Sequence, residues 1–281
     1  KGIIISSNAF EGDKALENLI NLKAVKKIGS YAFKDCSALL SVTIGDNVII
    51  DDYAFASLKI TELTLGENTI INNYAFSSCI RLLNVNMPEN GGVEINEGAF
   101  YGNTVLRTID LSKTTNRIGN YAFYKCPALT TLDLANVEYL GDYSFAGCSK
   151  VNTINLPKVI EIGHGAFMRT TVLGNGPIIT EISLPDTLKV ISDEAFMGCY
   201  KLTKVTIPSG IEKINNYAFA YCTNLTNVSL PDSVNSIGEY AFYKCGKLKY
   251  INLEMIKEIG DYGFASCTSL ESVKLNSATT I

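Results

Sequence analysis

Residues 237–253 read IGEYAFYKCGKLKYINL, and this stretch carries the pattern that decides the fold. Its Phe242 belongs to a series that accounts for every phenylalanine in the chain. Successive members are 21 to 24 residues apart, except for one step of 29 residues between Phe167 and Phe196. The series is Phe10, Phe33, Phe55, Phe76, Phe100, Phe123, Phe145, Phe167, Phe196, Phe219, Phe242 and Phe264. A repeat of this length that covers the whole chain predicts a solenoid.

Aliphatic residues keep a fixed distance from each phenylalanine. One stands five residues before it, as Ile237 does before Phe242. In most repeats two more stand nine and eleven residues after it, as Ile251 and Leu253 do. Such an alternation of apolar and polar positions is typical of a short β-strand with one buried face. A single repeat of about 22 residues cannot bury its own apolar side chains, so the repeats must stack on one another.

The residues just before each phenylalanine predict a bend and a short helical turn. Ser, Asp or Asn stands three residues before most phenylalanines, and these types favour the N-cap of a helix. Gly, Asn or Asp usually stands one residue earlier, which suggests a backbone position with positive φ. We therefore predict an α/β solenoid of the leucine-rich-repeat type. It would be a right-handed superhelix of about twelve turns of 22–23 residues, with one parallel sheet on its concave side and residues 1–281 in a single domain.

Composition and charge exclude several classes of protein. Of the 281 residues, 47% are hydrophobic and 19% are charged, so the chain is neither disordered nor a coiled coil. The net charge is −4 and no run of Lys or Arg occurs. Nucleic acids and anionic membrane surfaces bind clustered cations, so we expect neither as a partner. No apolar run is long enough for a transmembrane helix, so we expect no membrane insertion.

All eight cysteines occupy one column, three residues after a phenylalanine. A disulfide framework is one interpretation for an exported chain. The pattern favours a ladder of small buried thiols, because equivalent residues of stacked repeats have parallel Cα–Cβ directions, which suit a disulfide poorly. We expect no metal site, because cysteines occur once per repeat and the chain has one histidine. We also expect no cofactor, since no phosphate-binding or dinucleotide-binding glycine motif is present.

Two features bear on catalysis. His164 stands in the column of predicted N-caps, and we interpret it as a surface cap variant rather than a general base. Asp110 and Asp133 occupy equivalent outward positions on successive predicted strands, where they should be about 5 Å apart. Two like charges at that distance should attract a cation or resist ionising together, and the separation resembles that of the carboxylates in retaining glycosidases. A shallow face offers no cleft to exclude water, so we predict no catalytic residue.

Eight of the fifteen tyrosines stand two residues before a phenylalanine. A repeated aromatic residue on the side opposite the sheet can lean over its neighbours and seal the repeats. The alternative is an aromatic stripe that binds glycan or protein. The step of 29 residues places extra chain at 168–177, where we expect a loop that bulges from the rim.

These columns together resemble a known repeat. Residues 237–253 look like the BspA-like leucine-rich repeat, IG-x-x-AF-x-x-C-x-x-L-x-x-V-x-LP, and six or more columns match in register over twelve repeats. The resemblance covers essentially the whole chain. It implies an exported or surface-attached protein of bacteria or of some protozoa, often linked to adhesion, and it implies no shared catalytic motif.

We expect an extracellular or cell-surface scaffold that binds a protein of a host or its matrix, or a glycan. Its ligand would lie across Asp110, Asp133, Glu181, Lys204 and Tyr250, a face that is acidic in the middle and basic and aromatic towards the C-terminus. Two alternatives stay open: a carbohydrate-active enzyme that uses Asp110 and Asp133, and a structural spacer arm. Both ends of the sequence fall within the repeat and lack a polar cap, so we also expect a longer exported protein or self-association through the solenoid ends.

Overall fold

The chain forms a solenoid in which each repeat contributes two short β-strands. The computed structural model describes residues 2–19, 22–170 and 177–280. Every strand pair is parallel and joins one repeat to the next. The solenoid of about twelve turns predicted from the phenylalanine series is confirmed, and it is built almost entirely of strands and tight turns.

One set of strands, here called the front sheet, contains the aliphatic residue nine positions after each phenylalanine. Its strands are β3 (Ser41–Thr43), β5 (Glu62–Thr64), β7 (Asn84–Asn86), β9 (Thr108–Ile109), β11 (Thr131–Asp133), β13 (Thr153–Asn155), β15 (Glu181–Ser183), β17 (Lys204–Thr206), β19 (Asn227–Ser229), β21 (Tyr250–Asn252) and β23 (Ser272–Lys274). Most have a buried central residue between two more exposed ones, as the alternation predicted. The front sheet, which contains only odd-numbered strands, divides into three parts. They are a four-stranded part from β3 to β9, a two-stranded part of β11 and β13, and a five-stranded part from β15 to β23.

A second set, here called the side sheet, contains the aliphatic residue five positions before each phenylalanine. Its strands are β1 (Ile3–Ile5), β2 (Val25–Ile28), β4 (Ile49–Ile50), β6 (Ile70–Ile71), β8 (Val93–Ile95), β10 (Thr114–Ile118), β12 (Tyr139–Leu140), β14 (Glu161–Ile162), β16 (Val190–Ile191), β18 (Lys213–Ile214), β20 (Ser236–Ile237) and β22 (Glu258–Ile259). Nine of them, β1 to β16, form one continuous sheet, and the last three form another. The prediction of a single sheet is therefore wrong, because the strands that contain the aliphatic residue before each phenylalanine also pair with one another along the solenoid axis.

The side sheet continues across the longest repeat. Strands β14 and β16 pair in regular register, Glu161 with Val190 and Ile162 with Ile191. The extra residues of this repeat leave the side sheet intact, whereas the front sheet divides there, between β13 and β15. The loop predicted at 168–177 falls largely on 171–176, which lie outside the described residues.

The predicted helical turn and its N-cap are wrong. The Ala32 N–H donates to the Gly29 carbonyl at 3.1 Å, and Tyr31 between them has a φ of +61°. A bond across three residues with positive φ at the third position is a type II β-turn. The Tyr31 N–H donates instead to the backbone carbonyl of Asp52 in the next repeat, at 3.0 Å, so alternate N–H groups bond along the solenoid axis. Ser, Asp and Asn suit such turns as well as they suit helix caps. Within the described residues, helix is limited to two 3-10 turns, Leu22–Ala24 and Leu111–Lys113.

The position of the left-handed residue also differs from the prediction. At the expected site, four residues before each phenylalanine, neighbouring repeats approach closely: a Cβ on Gly29 would lie 2.5 Å from the Ser7 backbone nitrogen. Positive φ occurs two residues later, in the tyrosine column, in all twelve repeats. The column comprises Asn8, Tyr31, Tyr53, Tyr74, Gly98, Tyr121, Tyr143, Gly165, Glu194, Tyr217, Tyr240 and Tyr262. Bulky residues seldom adopt this conformation. The β-turn of each repeat, and not the preference of the side chain, therefore determines the backbone conformation at this position.

The core is a single stack of phenylalanine rings that runs the length of the solenoid. Neighbouring rings are nearly parallel, with centroids 5.1 to 5.8 Å apart from Phe10 to Phe264. The rings from Phe33 to Phe242 are fully buried, together with most of the alanine column and most of the aliphatic columns of both sheets. Burial of this apolar surface is the main source of stability in such a fold.

The cysteine column lies beside this stack as a ladder of thiols. Each S–H donates to the backbone carbonyl of the phenylalanine one repeat earlier, over 2.9 to 3.6 Å. The pairs are Cys36 to Phe10, Cys79 to Phe55, Cys126 to Phe100, Cys148 to Phe123, Cys199 to Phe167, Cys222 to Phe196, Cys245 to Phe219 and Cys267 to Phe242. Burial raises the pKa of Cys79, Cys148 and Cys199 to about 12, so these thiols stay protonated at neutral pH.

Candidate binding face

The front sheet presents rows of exposed side chains that run across the repeats. In the five-stranded part, Glu181 pairs with Lys204, Lys204 with Asn227, Asn227 with Tyr250 and Tyr250 with Ser272. Three of the five predicted binding residues therefore share one row. Buried neighbours such as Val205 and Ile251 fix the strands below them. The row extends about 20 Å at the spacing of parallel strands.

Asp110 and Asp133 are placed differently from the prediction. Strand β9 ends the four-stranded part of the front sheet and β11 begins the two-stranded part, so the two residues do not lie on paired strands. Asp110 is the N-cap of the 3-10 turn Leu111–Lys113 and accepts hydrogen bonds from the Ser112 N–H at 3.1 Å and the Ser112 hydroxyl at 2.5 Å. Asp133 accepts one from the Asn155 amide at 2.8 Å. Each carboxylate is thus held by its own neighbour.

The divisions of the front sheet coincide with two open depressions on this face. Asp110 and Asp133 line the first, together with Arg107. Glu181 and Lys204 line the second, beside the division that precedes β15. The structure therefore brings the predicted residues together as two pairs, with Tyr250 two strands beyond the second pair.

Charge on this face is compensated unevenly. At the C-terminal end Lys274 forms an ion pair with Glu254. Hydrogen bonding and attraction between them raise the pKa of Lys274 and lower the pKa of Glu254. Lys204 and Lys249 have no carboxylate partner within salt-bridge distance among the described residues. The exposed positive charge therefore concentrates on the strands before the last one.

The tyrosine column forms a second aromatic stack on the tight-turn side. Tyr31, Tyr53 and Tyr74 stack at 5.2 Å, and Tyr217, Tyr240 and Tyr262 stack at 4.7 Å. Burial and the neighbouring Glu97 carboxylate raise the pKa of Tyr74 to about 12. Stacked rings cover one another's faces, as expected for side chains that seal the repeats.

His164 is not a helix cap, because no helix forms at this position. Its backbone N–H donates to the Asp142 side chain of the preceding repeat at 2.9 Å. Its ring meets Tyr143 edge-on at 5.0 Å, and its Nε2 lies 3.6 Å from Glu194. The residue thus joins three repeats through surface contacts.

No group of three or more His, Cys, Asp or Glu side chains in residues 2–19, 22–170 and 177–280 could hold a metal ion. In those same ranges, no helix has the length and hydropathy required to cross a bilayer.

The sequence analysis did not single out the exposed residues Lys201 and Lys247, which stand three residues before Lys204 and Tyr250, the first residues of β17 and β21. Each directly precedes a buried leucine of the repeat, Leu202 or Leu248. They are two repeats apart in sequence, so they do not form a run of basic residues. Aligning the repeats by their phenylalanines reveals the pair.

Known proteins support this fold. The model of the BspA type leucine rich repeat region matches in six copies, over residues 3–93, 69–175 and 174–281. A leucine-rich repeat protein from Bacteroides ovatus ATCC 8483 is 24% identical with a TM-score of 0.67, over 99% of this chain and 78% of that chain. One from Eubacterium ventriosum ATCC 27560 is 20% identical with a TM-score of 0.54, over 89% and 82%.

A leucine rich cell surface protein from Faecalibacterium prausnitzii A2-165 is 19% identical with a TM-score of 0.44, over 97% of this chain and 82% of that chain. No curated protein matches this chain. At these identities, similarity between structures concerns the fold alone. The family follows from the sequence match, which extends over nearly the whole chain. The chain belongs to the BspA-type leucine-rich-repeat family.

Proposed function

We propose that this chain is a binding scaffold, displayed outside the cell or on its surface, which recognises a protein or a glycan through its front sheet. The observation that carries the proposal is the register of exposed polar side chains across β15 to β23. The binding residues are Asp110, Asp133, Glu181, Lys204 and Tyr250.

The scaffold prepares this surface before any ligand arrives. The exposed residues lie on paired strands whose central residues, such as Val205 and Val228, are buried in the core. Side chains that are already ordered lose less conformational entropy on binding, which favours affinity. Repeat proteins commonly use extended faces of this kind for recognition.

The enzyme alternative has less support than the binding scaffold. Asp110 accepts hydrogen bonds from Ser112 in the 3-10 turn that follows β9, and Asp133 accepts one from Asn155 on β13. The depression that they line is open, whereas glycoside hydrolysis needs two carboxylates opposed across an enclosed bond. The family match names a repeat and no enzyme class. A location outside the cell follows the resemblance to BspA-like proteins.

The test is a binding screen of the purified chain against immobilised matrix proteins and polysaccharides. For any ligand found, we expect D110N/D133N or Y250A to weaken binding at least tenfold. Tyr217→Ala, which removes the same ring from the tyrosine column, is the matched control and should stay within twofold of the parent. Parent-like binding by both front-sheet variants, with loss of binding in the control, would assign the site to the tyrosine stack. A chain that binds nothing in the screen would support the spacer-arm alternative.

A further inference from the structure

Four exposed lysines surround Tyr250 on the C-terminal third of the front sheet and its rim. They are Lys201, Lys204, Lys247 and Lys249, and with Tyr250 they are here called the lysine–tyrosine patch. In the described repeats that begin at Phe33, Phe55 and Phe76, the aligned columns hold two basic residues, Lys59 and Arg81, and no tyrosine. The patch differs from these repeats in holding four lysines and an exposed aromatic ring.

The register of the strands places the charges at regular intervals. Lys204 pairs with Asn227, and Asn227 pairs with Tyr250, so Lys204 and Tyr250 are two strands apart, or about 10 Å. Lys249 is adjacent to Tyr250 in sequence. Lys201 and Lys247 occupy equivalent positions two repeats apart and so have the same spacing of about 10 Å. The four lysines thus stand on the first and third of three neighbouring repeats, about 10 Å apart along the solenoid axis.

The four lysines of the patch form no ion pair within the described chain. Lys274 on the next strand, by contrast, pairs with Glu254. Beyond the patch lie Glu181 on one side and Glu271 on the other. In a chain whose net charge is −4, this cluster is a local site for an anion.

Tyr250 adds an open aromatic surface to the cluster. Its side chain is 52% exposed, and its register partners Asn227 and Ser272 are short. Tyr240 by contrast is stacked between Tyr217 and Tyr262. The ring of Tyr250 is thus free to receive the apolar face of a ligand.

We propose that the lysine–tyrosine patch binds an acidic polysaccharide, with carboxylate or sulfate groups at the lysines and a sugar ring against Tyr250. This inference rests on the proposed use of the front sheet for binding. A protein partner is less well matched, because the centre of a protein interface is apolar and Tyr250 is the one large apolar side chain of the patch. A nucleic acid duplex is rigid and would extend over Glu181 and the acidic residues beyond it, which repel phosphate.

The experiment titrates the whole chain with dextran sulfate, polygalacturonate and neutral dextran. We expect both acidic polymers to bind and neutral dextran not to bind. The variants K204Q/K249Q and K201Q/K247Q should each weaken binding at least tenfold, and Tyr250→Ala should weaken it more than Tyr250→Phe, which keeps the ring. Lys189→Gln with Lys213→Gln removes two exposed lysines elsewhere and should stay within twofold of the parent. Raising NaCl from about 0.05 to about 0.5 M should weaken binding further, because exposed charges are screened.

Equal loss of affinity in the control and the patch variants would overturn the proposal, since it would indicate attraction to any lysine. Tighter, patch-dependent binding of duplex DNA would also overturn it. If neither acidic polymer binds while another ligand still needs Asp110 and Asp133, this inference fails and the proposed function stands. If no ligand depends on any front-sheet residue, both fail. Thermal melts of each variant verify that exposed substitutions leave the fold intact.

Discussion

The phenylalanine stack and the tyrosine stack repeat at the same interval, two residues apart in every repeat, yet they differ in continuity. The phenylalanine stack is unbroken from Phe10 to Phe264. In the tyrosine column, Asn8, Gly98, Gly165 and Glu194 replace the ring in four repeats. The backbone at those four positions keeps the same positive φ as at the tyrosines. The phenylalanine column therefore requires a particular side-chain volume, whereas the tyrosine column requires a particular backbone conformation.

The physical reason lies in what replaces a missing ring. Inside the core nothing can fill the gap, so the surrounding atoms lose their contacts. At the surface water fills it, and the neighbouring ring leans into the space: a Cβ on Gly98 would lie 2.3 Å from the Tyr74 ring. The side chain is thus strongly constrained in the phenylalanine column and weakly constrained in the tyrosine column, although both columns repeat at the same interval.

The largest expected effect is the removal of one buried ring. Phe145→Ala should lower the free energy of unfolding by about 3–5 kcal/mol, because it leaves a cavity within a fully packed stack. Urea denaturation followed by circular dichroism measures the change. The matched control, Tyr143→Ala in the same repeat, should cost about 1 kcal/mol or less. Similar costs for the two variants would contradict the contrast between the stacks.

The thiol ladder predicts a loss of stability at alkaline pH. Burial raises the pKa of Cys148 from 9.0 to about 12, so between these values the unfolded state loses its proton while the folded state retains it. Stability should therefore be complete below about pH 9 and should decline as the pH rises towards 12. Cys148→Ala should reduce this slope, as measured by urea unfolding at several pH values; an unchanged slope would argue against a buried thiol.

The same ladder predicts the outcome of thiol labelling. A denatured, non-reduced sample should contain about eight reactive thiols, as the stacked geometry requires. In the native protein Cys267, which is less buried than the other seven, should react first. A denatured count of two or fewer would show that disulfides form after all. Mass spectrometry with an alkylating reagent provides both counts.

A smaller effect is expected where a polar residue occupies the cysteine column. Asn103 donates to the Phe76 carbonyl at 2.9 Å as a cysteine would, but its Oδ1 is buried without a partner in the described structure. Asn103→Cys should keep the donor, remove the unpaired acceptor and raise the free energy of unfolding by about 1 kcal/mol or more. Destabilisation in the urea midpoint would mean that a water satisfies the Oδ1 atom.

The smallest effect separates backbone conformation from ring stacking at Tyr240. Its φ is +53°, a region that glycine adopts freely and alanine does not. Both Tyr240→Ala and Tyr240→Gly lose the ring, but Ala retains the unfavourable backbone. We expect the glycine variant to be more stable than the alanine variant, by about 1 kcal/mol, in paired thermal melts. The reverse order would show that the folded backbone is not strained there.

The sequence was sufficient for features that depend on burial and insufficient for those that depend on competing hydrogen bonds. The phenylalanine, alanine and aliphatic columns predicted the stack, the strands and the solenoid, because only one arrangement buries them all. Asp52 could suit a helix cap or a β-turn, and only the tertiary context favours the second. The sequence also did not predict the 3-10 turn in which Ser112 donates hydrogen bonds to Asp110. The lysine–tyrosine patch requires alignment of repeats, not inspection of neighbours.

The uninterrupted pairing of β14 with β16 across the longest repeat has a consequence for how such proteins change over time. Glu161 and Ile162 find their partners in the next repeat although the chain between the strands is longer than elsewhere. The side sheet keeps its strand pairing across this repeat, while the connection on the front-sheet side is longer than in the other repeats. Lineages could therefore acquire new contact loops one repeat at a time, without refolding the rest. The position after Arg169 is accordingly a natural place to graft a foreign peptide.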